Sequence, residues 1–165
     1  MADEPEDAAP PSRKPNQWIH DWYPYHSYID VHSSYMDRLA DEGIVIHDHV
    51  SFIEIRQSDS LEFIQVVGRL ECADNLVVSV NKLLEVRFSP SRRLEVRGLD
   101  YSYHAWTRNG CDVLRYDNAH GPLHRHAFDL RRCVEEGVSA IDLDSLPTLD
   151  EFVREAIASV RDANI

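Results

Sequence analysis

The residues able to do chemistry crowd into one stretch, LEVRGLDYSYHAWTRNGCDVLRYDNAHGPLHRH, from Leu94 to His126. Four of the nine histidines fall between positions 104 and 126, beside Arg115, Asp117 and several tyrosines. Metal-independent cleavage of RNA asks for such a set: a base for the ribose 2′-OH, an acid for the leaving oxygen, and a cation for the phosphorane charge. His104 is the candidate base, Arg115 the clamp, and His124 or His126 the acid. Asp117 would orient a histidine and so set which ring nitrogen holds the proton. Tyr103 and Tyr116 can donate a hydrogen bond or stack on a base. Tyr101, Asn118 and Arg125 complete the candidate substrate-binding residues.

The same stretch offers a metal alternative. Asp117, His120, His124 and His126 are carboxylate and imidazole ligands that suit zinc or manganese, and an HxxxHxH loop that curls over the strand end can bring them together. Arg125, between two of these ligands, points away from them in an extended segment. No HExxH motif accompanies them, so the first expectation is a site with no cofactor.

Positioning these groups requires a hairpin. Asn109-Gly110 is a signal for a type I′ turn, which needs φ > 0 at both central residues. With that turn, paired positions sum to 219, so Tyr103 faces Tyr116, His104 faces Arg115 and Ser102 faces Asp117. Alternation then puts Leu99, Tyr101, Tyr103, Ala105, Leu114 and Tyr116 on one face. Ser102, His104, Trp106, Val113, Arg115 and Asp117 fall on the other. A slip of one residue would undo the grouping. Structural uses compete: tyrosines on an apolar face often belong to a core, and Asp117-Asn118 at a strand end is also ordinary turn chemistry.

The 165 residues suit one domain with a real core. No basic-then-apolar leader and no run of about 18 apolar residues appear, so the expectation is a soluble cytoplasmic protein with no membrane partner. Cys72, Cys111 and Cys133 show no CxxC pattern, which argues against a disulfide framework and a cysteine zinc site. The net charge of −12 speaks against non-specific nucleic-acid binding. Yet Arg87–Arg132 holds nine Arg against five acidic residues, a balance of +4 that leaves −16 elsewhere. The polar hairpin thus sits in the basic part of an acidic chain.

Residues 1–17, acidic and then Pro/Ala-rich, read as a flexible tail before a single domain over 18–165. A helix is expected from Ser27, as cap, to Glu42, with Gly43 ending it. Ile44–Arg56, Leu61–Glu71 and Leu76–Phe88 read as strands, with a turn at Ala73-Asp74-Asn75. His47 and His49 share a face of the first, a weak metal pair without a third ligand. Ala127–Glu136 is ambiguous between short helix and irregular structure. Thr148 and Glu151 form a capping box before a helix whose stripe is Leu149, Phe152, Val153, Ala156, Ile157 and Val160. The fold class is α+β: an antiparallel β-sheet with a packed C-terminal helix and an N-terminal helix.

Tyr101-Ser102-Tyr103-His104, then Arg115-Tyr116-Asp117-Asn118-Ala119-His120, then His124-Arg125-His126, resemble the TumE-type toxins of toxin–antitoxin modules. The likeness covers roughly residues 61–160, including the Ala73-Asp74-Asn75 turn and the strand after it. Gly121-Pro122-Leu123 is a shorter link than many relatives carry. The resemblance implies a toxin neutralised by a helix-turn-helix antitoxin, without fixing a mechanism or an oligomeric state. Three readings follow: a toxin acting on RNA through the His/Arg/Asp/Tyr cluster, a non-catalytic module that binds a protein partner, and a metal-dependent hydrolase.

Overall fold

The computed structural model describes residues 21–118 and 121–164. The proposed tail at 1–17 lies outside the described residues. The elements run β1 (Tyr23–Pro24), α1 (Tyr25–Asp41), β2 (Val45–Asp48), β3 (Ser51–Gln57), β4 (Ser60–Cys72), β5 (Leu76–Phe88), β6 (Leu94–Thr107), β7 (Asp112–Asp117), β8 (His124–Asp129), β9 (Val134–Ala140) and α2 (Leu149–Ala163). All strands join one antiparallel sheet in the order β2-β4-β5-β6-β7-β8-β9, with β3 also on β4 and β1 on β6. This is the expected α+β architecture. Among the described residues, no helix is long and apolar enough to cross a membrane.

The long apolar alternations fix which face the helices cover. Leu76, Val78, Val80 and Leu84 of β5, Tyr101, Tyr103 and Ala105 of β6, and Leu114 and Tyr116 of β7 are buried. Against them lies the stripe of α2, in which Leu149, Phe152, Val153, Ala156, Ile157 and Val160 are all buried. Its capping box is made in both directions, Glu151 N–H to Thr148 Oγ1 at 3.2 Å and Thr148 N–H to Glu151 Oε2 at 2.8 Å. Helix α1 starts earlier than expected. Pro24 stands at its N-cap and Ser27 lies inside it, because proline supplies the break itself. Gly43, at φ +70°, ends it as expected. Tyr28, Met36 and Leu39 of this helix are buried, while Val31 is exposed.

Between the helices and the sheet, Lys82 is buried among tyrosines. Its Nζ donates to Tyr28 Oη at 3.0 Å and lies 4.8 Å from the Tyr103 ring centroid. Burial pushes its amine down to about 7.

The run Ile44–Arg56 is two strands rather than one. They part at His49-Val50, where the chain crosses Gly68 of β4. A Cβ on Gly68 would lie 2.2 Å from His49 O, so only glycine allows this crossing. Type I′ geometry occurs at Ser58-Asp59 and Asp74-Asn75, where both central residues have positive φ. It does not occur at Asn109-Gly110, which corrects the expected turn. Gly110 N–H bonds Thr107 O and Thr107 N–H bonds Cys111 O, closing a three-residue loop in which Gly110 takes φ +91°.

Val113 is then an extra residue, because Trp106 pairs with Asp112 and Ala105 with Leu114. This bulge compensates for the longer loop. The pairs Ala105–Leu114, His104–Arg115, Tyr103–Tyr116 and Ser102–Asp117 form in the expected register. It also turns Val113 inward, so it is buried beside Leu114 rather than standing on the polar face. A second bulge, where Leu83 pairs with Asp100 and Leu84 with Gly98, turns Leu99 out of the apolar face to 41% exposure.

The ambiguous Ala127–Glu136 segment is the β8–β9 hairpin. In a meander, alternate turns share one end of the sheet, so the β6–β7 and β8–β9 turns are neighbours. Cys111 of the first and Cys133 of the second form a disulfide with Cα atoms 5.0 Å apart, a crosslink that the argument against a disulfide framework did not anticipate. Cys72 is a buried free thiol.

Candidate active site on the open sheet face

The polar groups collect on the face away from the helices, in rows that run across the strands. Register aligns Arg69 of β4, Ser79 of β5, His104 of β6, Arg115 of β7 and His126 of β8. The next row aligns Asn81, Ser102, Asp117 and His124. Adjacent strands are about 4.8 Å apart, so His104 and His126 flank Arg115 with backbones about 10 Å apart.

Asp117 is the pivot. It is fully buried, and its Oδ2 forms an ion pair with Arg115, Nε at 2.5 Å. His124 Nε2 is 3.0 Å from its Oδ1, and His126 Nε2 is 3.8 Å from its Oδ2. The other nitrogen of His124, Nδ1, lies 2.9 Å from Pro122 O. A carbonyl only accepts, so Nδ1 carries a proton and the carboxylate meets Nε2. The His124 and His126 rings are 4.8 Å apart, and Phe128 lies beside His126 with rings nearly parallel at 6.5 Å.

Two further carboxylates serve the row. Asp112 Oδ1 is 2.7 Å from His104 Nε2, and Glu135 Oε2 is 3.5 Å from His126 Nδ1. Neither was a sequence candidate. Asp112 could have been found as the acidic residue just after the turn, but its reach to His104 depends on the bulge. Glu135 lies in the segment whose strand character the sequence left open.

Of the expected site residues, the fold brings together His104, Arg115, Asp117, His124 and His126. It separates Tyr101, Tyr103, Tyr116, Asn118 and Arg125 from them. Tyr101 and Tyr103 are buried on the helix side, Tyr103 with its ring 5.2 Å from that of Phe152, which corrects their grouping with the histidines. Tyr116 and Arg125 also face the helix. Tyr116 Oη donates to Glu155 at 3.0 Å, and Arg125 Nη2 to Glu155 at 2.8 Å, tying α2 to β7 and β8. Asn118 extends the ladder instead: Tyr101 N–H donates to its Oδ1 at 2.8 Å and its Nδ2 donates to Leu99 O at 3.1 Å. His120 lies outside the described residues.

Three of the four suggested metal ligands converge. One ligand atom each from Asp117, His124 and His126 lies within 4.8 Å of the others, a set that fits a divalent ion in donor type. The same Asp117 oxygen that faces His126 also holds the Arg115 guanidinium. That cation already neutralises the carboxylate and would repel a second positive charge. His47 and His49, rings 6.0 Å apart, are not part of a three-residue cluster among the described residues.

A family model described as Toxin TumE matches residues 35–161 of the chain. No curated protein and no solved structure matches it.

Proposed function

The chain belongs to the TumE toxin family, and from that premise we propose that it stops growth by cutting RNA at the row His104–Arg115–His126. An antitoxin partner goes with a toxin family in general; for this chain we propose one of helix-turn-helix type. The observation that carries the reading is the row itself. A guanidinium stands between two imidazoles on adjacent strands, and each imidazole has its own carboxylate.

Asp112 accepts from His104 Nε2 and leaves Nδ1 to take the proton of a ribose 2′-OH. The 2′ oxygen then bonds to the neighbouring phosphorus as the bond to the 5′ oxygen breaks. An imidazolium of the His124–His126 pair returns a proton to that leaving oxygen. Arg115, its Nε on Asp117, keeps its terminal nitrogens for the charge that builds on the phosphorane.

Expression of the chain alone is expected to arrest growth, and His104→Ala and His126→Ala are each expected to relieve it. On purified RNA, each should slow cleavage by about 10² to 10⁴. Cleavage that persists in chelator supports the metal-free route. The second reading, a zinc or manganese ion on Asp117, His124 and His126, is favoured by their convergence. It predicts that chelation abolishes cleavage and that elemental analysis finds the ion. Growth arrest that survives both substitutions would reject catalysis by this row and favour a protein-binding module.

A further inference from the structure

We propose that the recess beside Trp106 holds an unpaired base of single-stranded RNA next to the phosphate being cut, a reading that rests on the RNA-cleaving role of the row. The recess, about 610 Å³, is lined by Arg69, Glu71, Val77, Trp106 and Arg108 with the His49–Gly68 crossing as one wall. It continues the reacting row across the same face. Arg69 pairs with Ser79 and Ser79 with His104, while Val77 pairs with Trp106.

The chemistry of the lining selects the occupant. The half-buried indole offers a flat apolar surface, with the His104 ring 5.1 Å away and the Arg69 guanidinium 5.6 Å from its centroid. Arg108 bonds Glu71 at 3.0 Å, so a cation and a hydrogen-bond acceptor line the same recess. A base stacks on an indole whatever its identity, the arginines meet the phosphates on either side of it, and a carboxylate accepts from an exocyclic amine. His104 and Trp106 are two residues apart on one strand, about 7 Å. A base seated on the indole therefore has its neighbouring sugar and phosphate at His104 and Arg115. Paired bases are stacked inside a duplex and present no free face to the indole. Trp106 thus takes the stacking role that the sequence suggested for the tyrosines.

The probe is a single-stranded 2′-O-methyl hexanucleotide, which lacks the attacking hydroxyl, titrated against the full chain alone and after annealing to its complement. Trp106→Ala is expected to weaken single-strand binding about 10-fold or more, Trp106→Phe to retain most of it, and Arg69→Ala to weaken it as well. In cleavage, Trp106→Ala should raise KM while kcat stays within a few-fold. Unchanged single-strand binding by Trp106→Ala, or equal binding of the duplex, overturns the assignment even if RNA is cut. If the wild-type chain cuts no RNA yet binds the single strand through Trp106, the recess stands and the catalytic reading falls.

Discussion

Asp117→Asn is expected to lower RNA cleavage on the order of 10³-fold while leaving the fold intact. The carboxylate is fully buried and faces nitrogens of Arg115, His124 and His126 at 2.5, 3.0 and 3.8 Å. An amide of the same shape fills the space but removes the charge and puts an N–H where an acceptor is needed. Arg115 then loses its ion pair, and the His124 ring loses the carboxylate that faces its Nε2. The reading needs both measurements: initial cleavage rates, and far- and near-ultraviolet circular dichroism to show that the variant is folded. A folded variant that retains more than a tenth of the wild-type rate would contradict the role of Asp117. His124→Ala separates the two imidazoles at this carboxylate. A loss matching that of His126→Ala would mean that the pair acts as a unit.

Phe152→Ala is expected to cost about 3 to 5 kcal/mol of folding stability, the largest structural effect foreseen. Phe152 is fully buried, its ring 5.2 Å from that of Tyr103 and 5.8 Å from that of Tyr116. It is therefore the plug between α2 and the strands that carry His104 and Arg115 on their opposite face. With domain stabilities of about 5 to 15 kcal/mol, this loss is a large fraction of the whole. Urea unfolding with a common slope measures it. A change below about 1 kcal/mol would mean that α2 does not close the core as described. The helix is also tied by Glu155 to Tyr116 and Arg125, and by Arg154 to Glu42 at 2.6 and 2.8 Å. The half-exposed ion pairs among these, Arg125–Glu155 and Arg154–Glu42, contribute little beside the ring.

The sequence carried the grouping of Arg115, Asp117, His104 and the terminal histidines, because side-chain parity along a strand needs only the register. The turn chemistry was less legible. Asn109-Gly110 serves a two-residue loop or a three-residue loop with glycine in the left-handed position, and spacing alone does not separate them. The register held because the Val113 bulge absorbed the extra loop residue. Strand β9 was illegible for a different reason. Every residue of Val134–Ala140 is exposed, so no buried face imposed a pattern on its sequence. With β9 went Glu135 and the nearness of Cys111 to Cys133, which follows from the meander and not from cysteine spacing. The tyrosines were assigned the correct face but the wrong role: what decides between stacking on a ligand and packing on Phe152 is which face the helices cover.

Acid–base cleavage by this face fixes the chemical ends of the cut RNA. Attack by the 2′ oxygen leaves a 2′,3′-cyclic phosphate on one fragment and a 5′-hydroxyl on the other, and end-group analysis of RNA cut in the presence of chelator is expected to find these ends. Fragments bearing 5′-phosphate and 3′-hydroxyl ends would show that water, not the ribose, attacked the phosphorus, and would contradict acid–base cleavage by this face.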